Sequence, residues 1–194
     1  MCNFYNGCIF NADRCKNCCI DNIKNSYKLN RKIINSWVFL YEQYDDMMYK
    51  LDEDNNIDTK IHVVSSYTLI PGLFHESIRY LFLEYFKING IETSVLISGK
   101  WLSSHININK KLIESIFITQ KISFDEMSFH MDALDFFTKD NQTLHRNKAA
   151  HEATEAIHAA SRIMLKDVFR KFIAMMHCVV CFEYMLLEIE TCHQ

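Results

Sequence analysis

Among 194 residues there are four glycines and one proline, and this scarcity restricts the fold more than any other feature. Tight hairpins draw on glycine for positive φ, and most turns use glycine or proline. A chain so poor in both is suited to long helices with few connections. Neither residue occurs from His145 to Glu190, so two consecutive helices or one very long helix must fill that stretch. The hydrophobic share of 49% and aromatic share of 13% are enough for a real core. The expectation is a mainly α fold: a single bundle of about six helices, one or two short strands, and a Cys-rich N-terminal arm. The arm spans residues 1–28 and the helical domain residues 29–194.

Periodicity places the elements. Ile34, Trp37, Tyr41, Tyr44, Met48 and Leu51 recur at helical spacing and predict a helix near 29–51. KIHVVSSYTLI (60–70) is β-branched and aromatic and reads as a short strand or an extended lead-in, and ETSVLIS (92–98) is the second strand candidate. Pro71 is placed as a first-turn proline, ahead of a stripe of Phe74, Ile78, Leu81, Tyr85 and Ile88 that Asn89-Gly90 stops. A helix is expected over 109–121, and Ser123 with Glu126 forms a capping box before Met127, Met131, Leu134 and Phe137. Ala149, Ala153, Ala156 and Ala160 then line a face narrow enough for close helix approach. A bulky stripe of Val168, Phe172, Met175, Val179, Phe182 and Leu186 follows.

Five of the eight cysteines lie in CNFYNGCIFNADRCKNCC, residues 2–19. Cys15-Lys-Asn-Cys18 is a CxxC, whose two-residue gap lets both sulfurs face one ion, and Cys2 and Cys8 would complete a tetrahedral zinc set. The same spacing suits free thiols. Cys19, His177, Cys178, Cys181, Cys192 and His193 are the further candidates, as a second site or one shared between the termini. Cys178 and Cys181 lie in a helical pattern, where cysteine is an ordinary small buried residue.

The net charge of −3 conceals polarity along the chain. Residues 1–33 are net +4, with Arg14, Lys16, Lys24, Lys28, Arg31 and Lys32, whereas residues 42–58 are net −6. Cations interleaved with a zinc knuckle, with Tyr5 and Tyr27 on its flanks, suit phosphate contact and base stacking. Those six are the expected nucleic-acid-binding residues, and RNA or a ribonucleoprotein such as the ribosome is the expected partner. The same charges also suit a solvated helix start.

P-loop, GxSxG, HExxH and dinucleotide glycine motifs do not occur, which favours a noncatalytic factor. His151, Glu155 and His158 share a helical face as half of a di-iron-type pattern, but the second copy that such bundles use is missing. The N-terminus lacks a basic, apolar leader pattern. FIAMMHCVVCFEYMLLEI (172–189) is broken by His177, Glu183 and Glu188 and reads as a buried helix, with no membrane span. A cytoplasmic location is expected. In length and helix count the chain resembles a viral Bcl-2-like bundle, which implies an adaptor that binds a partner protein's helix and modulates host signalling or cell death. That family's Asn-Trp-Gly-Arg signature is missing, and Ser98-Gly99-Lys100-Trp101 does not replace it. The resemblance is architectural and carries no residues across.

Overall fold

The computed structural model describes residues 11–49, 57–88, 90, 131–138, 144 and 152–192. Among them are six helices: α1 (Ala12–Lys24), α2 (Arg31–Tyr49), α3 (Ile57–Ile88), α4 (Met131–Thr138), α5 (Ala153–Ala160) and α6 (Leu165–Cys192). No strand occurs among the described residues. Helix α6 is central and packs against α1, α2, α3 and α4, while α5 packs on α3. The expected mainly α bundle is present. None of these helices is long and apolar enough to cross a membrane.

Local chemistry starts the helices where they begin. Asn11 caps α1, its side-chain oxygen accepting the Arg14 N–H at 3.2 Å. Asp13 in the first turn and Lys24 in the last complement the helix dipole. Asn30 accepts the Ile33 N–H at 2.9 Å and so opens α2. On α2 the buried residues are Ile33, Ile34, Trp37, Tyr41 and Tyr44, which include the first four of the expected stripe; Met48 is half-buried and Leu51 lies outside the described residues. Trp37 is fully buried against Phe172 of α6, with ring centroids 5.4 Å apart. Its indole N–H donates to Ser77 Oγ at 2.8 Å, and Ser77 donates in turn to the Leu73 carbonyl at 2.7 Å. A buried tryptophan thus keeps its one polar atom paired.

The segment expected as a strand at 60–70 is helical and belongs to α3. Val63, Tyr67, Ile70, Phe74, Ile78, Leu81 and Phe82 are all buried and recur at helical spacing across it. Burial along one stripe outweighs the strand preference of β-branched residues, which is itself largely a packing effect. Pro71 correspondingly lies inside α3 and not in a first turn. Its missing N–H removes one helical hydrogen bond, a cost of about 3 kcal/mol that the packed stripe on either side offsets. The other strand candidate, 92–98, lies outside the described residues, as do the expected helix over 109–121 and the capping box. The stop at Asn89-Gly90 agrees with the structure: Gly90 has φ 65°, the left-handed value that glycine adopts at a helix end.

Among the described residues of the glycine-free stretch are two helices, α5 and α6. They are separated at residues 161–164, where Ile163 and Arg162 N–H groups bond back to the Ala160 and Ala159 carbonyls. Ala156 and Ala160 are buried as the alanine stripe implies, whereas Ala153 is exposed.

Candidate functional site

Residues 12–24, which the sequence reading assigned to the Cys-rich arm, form a helix packed on α2 and α6. The turn after it, residues 25–30, is held from the opposite end of the chain. Glu183 of α6, only 5% exposed, accepts three hydrogen bonds on Oε1. They come from Ser26 Oγ at 2.9 Å, the Tyr27 N–H at 2.9 Å and the Lys28 N–H at 2.8 Å. Ser26 Oγ also accepts the Leu29 N–H at 2.9 Å, closing the turn on itself. Next to the clasp, Tyr184 OH donates to Asn22 Oδ1 at 2.9 Å. Burial, with Glu183 next, raises the Tyr184 hydroxyl above its ordinary pKa.

This clasp fixes the surface above it. Tyr27 is 91% exposed and is flanked in sequence by Lys24 and Lys28, with Arg31 and Lys32 opening α2. No acid occurs from residue 22 to residue 41. Lys24, Arg31 and Lys32 are exposed and Lys28 is half-buried. Four of the six expected cations therefore share one end of the bundle. The other two are elsewhere: Arg14 starts α1, and Lys16 is paired with Asp45 at 2.9 Å. That hydrogen bond raises the Lys16 pKa.

The cysteines divide by helix face. Cys15 and Cys19 of α1 are buried with Ile23 at i, i+4 and i+8, and so serve as core residues. Cys18 is half-buried, its sulfur 3.5 Å from Asn22 Nδ2. On α6, Cys178 is buried, and burial pushes its thiol well above the ordinary range. Cys181 is half-buried with its sulfur 3.5 Å from His177 Nδ1. Helices α1 and α6 are neighbours, so the two cysteine groups lie on adjoining elements. Among the described residues, no three His, Cys, Asp or Glu side chains form a group able to hold a metal ion. Cys2, Cys8 and His193 lie outside the described residues. For Cys192 only the backbone is described, at the end of α6. Of the ExxH face, Glu155 and His158 are exposed on α5 and His151 lies outside the described residues.

A feature that sequence reasoning missed lies beside the basic turn. Helices α2 and α3 enclose an open groove of about 900 Å³ whose α2 wall runs from Lys32 through Asn35 and Ser36 to Phe39 and Leu40. Its α3 wall includes Thr68, Leu69, Leu73 and Glu76, with Gly72 between them. Phe39 is 61% exposed and Leu69 50%. Phe39 is off the Ile34–Trp37–Tyr41 stripe, and a large aromatic on the outer face of an amphipathic helix was the available signal. Compared with protein-family models, curated proteins and solved structures, the chain shows no significant match to any of them.

Proposed function

We propose that this chain is an RNA-contacting helical binding protein, acting on RNA alone or within a ribonucleoprotein such as the ribosome, and that its contact face is the α1–α2 turn. The observation that carries this reading is the turn, fixed by the buried Glu183 and without an acid in its own sequence, that presents Tyr27 among Lys24, Lys28, Arg31 and Lys32. Cations contact phosphates, and an exposed aromatic ring offers a stacking face to an unpaired base. Glu183 contributes indirectly: one buried carboxylate ties down three donors of the turn, so the backbone that carries these side chains is held before a ligand arrives. This lowers the ordering cost of binding.

In the zinc-ordered version of this reading Cys2, Cys8, Cys15 and Cys18 would hold the ion. Cys15 is buried on the core face of α1 and Cys2 and Cys8 lie outside the described residues, whereas the turn itself is held by Glu183. Charge reversal at Lys28, Arg31 and Lys32 tests the proposal. Loss of RNA association in low salt is the expected result, and unchanged co-sedimentation with RNA overturns it.

A further inference from the structure

We infer that the α2–α3 groove receives an unpaired nucleotide of the RNA whose phosphates meet the α1–α2 turn; this rests on the reading proposed above. Lys32 belongs to both features, since it closes the cationic run that begins at Lys24 and opens the groove wall. The groove is therefore the continuation of the basic turn along α2. Phe39 lies seven residues beyond Lys32, or about 10 Å along the helix, within the reach of a nucleotide from its phosphate to its base.

The lining suits a base better than a peptide helix. Phe39 presents an exposed ring for stacking, and Leu69 and Leu73 add apolar lining from α3. Around them are Asn35, Ser36, Thr68 and Glu76, which together offer donors and acceptors to a base edge. The Ser36 hydroxyl already donates to the Lys32 carbonyl at 2.9 Å, which leaves it available as an acceptor. An amphipathic helix needs a line of apolar pockets at helical spacing, and here polar side chains interrupt that line.

Gly72 supports the same conclusion. Glycine destabilises a helix interior relative to alanine, yet Gly72 is inside α3 with φ below zero. A Cβ added there meets nothing within 4 Å. The chain leaves this space unfilled, so a ligand can approach the α3 backbone closely. Paired bases inside an A-form duplex cannot enter such a groove, whereas splayed single-stranded bases can.

The test compares a short fluorescent oligouridine with a blunt RNA duplex of equal length, by anisotropy at low salt. Phe39→Ala and Gly72→Leu are the informative variants. Phe39 is exposed and Gly72 has open space, so both proteins should retain the parent's circular dichroism. We expect each variant to bind oligouridine about 5- to 100-fold more weakly, the range for loss of one stacked base, with duplex binding unchanged. Parental oligouridine affinity in both variants overturns the groove assignment while leaving the phosphate contacts in place. Failure of the unmodified protein to bind either RNA overturns both readings. Salt-insensitive binding of an amphipathic helical peptide in the groove, without RNA, also overturns the assignment.

Discussion

Glu183 and Lys28 are 155 residues apart in sequence, and in the fold the Glu183 carboxylate accepts the Lys28 backbone N–H at 2.8 Å. The same oxygen takes the Tyr27 N–H and the Ser26 hydroxyl. One side chain of the last helix thereby sets the conformation of the turn that carries the basic surface. Hydrogen bonds to a charged acceptor contribute more than neutral ones, and a buried donor left unpaired is costly. Glu183→Gln should lower stability by about 2 kcal/mol, read as a shift in the urea midpoint. It should also weaken RNA binding, because Lys28 loses its fixed position. A midpoint equal to that of the parent protein would show that the clasp contributes no stability.

Thiol reactivity should follow the helix faces. In the native protein, iodoacetamide should label Cys18 and Cys181, which are half-buried, before Cys15, Cys19 and Cys178, which are buried. Cys15→Ser should cost about 1–3 kcal/mol, since it places a hydroxyl in an apolar site. Cys18→Ser should be nearly neutral. A zinc knuckle would behave differently, protecting Cys15 and Cys18 together until a chelator released both.

High pH should expose the burial of Tyr44. Its hydroxyl is pushed up to about 12 by burial, against 10 for an ordinary tyrosine. Because the folded value is raised, the stabilisation is complete below pH 10 and is lost as pH rises toward 12. A two-unit difference corresponds to about 3 kcal/mol. Stability should therefore fall across that window in the parent protein and less steeply in Tyr44→Phe. Equal slopes for the two proteins would remove the assignment.

Gly72→Ala should stabilise the protein by about 0.5–1 kcal/mol, because a mid-helix glycine at an open position loses more backbone entropy on folding than alanine. Thermal melting of the two proteins checks this. A lower melting temperature for the alanine variant would show that the space over Gly72 is needed by the fold itself.

Much of the helical framework was legible in the sequence, and particular residues show where it stopped being so. The Ile34, Trp37, Tyr41 and Tyr44 stripe identified α2 because a core-facing helix repeats at this spacing, and Asn89-Gly90 marked the end of α3 through glycine's tolerance of positive φ. Residues 60–70 carry a strand-like β-branched signal in Val63 and Val64 over a helical 63, 67, 70, 74 spacing, and burial along that spacing decides the helix. The Cys15–Cys18 spacing is ambiguous by nature, since two residues three apart face one ion in a knuckle and lie on neighbouring faces of a helix. The spacing of Cys15, Cys19 and Ile23, all buried on α1, is the helical signal in this segment.

The candidate site was legible only in its charges and in Tyr27. Lys16 belongs to the same cationic run in sequence, and only the fold shows it paired with Asp45, away from the α1–α2 turn. Glu183 read as an interruption of an apolar run, because its partners are more than 150 residues away and no local pattern announces such a contact. The groove joins α2 to α3, and no single segment carries its outline.

The most direct test of the account is the salt dependence of single-stranded RNA affinity. Four cations, Lys24, Lys28, Arg31 and Lys32, meeting four phosphates predict a slope of log K against log salt of about −3. Replacing Lys28, Arg31 and Lys32 by glutamine should reduce the slope to about −1, with Arg14→Gln leaving it unchanged. Binding that is absent at low salt, or whose slope is insensitive to the triple substitution, would contradict the claim that the α1–α2 turn is the RNA contact face.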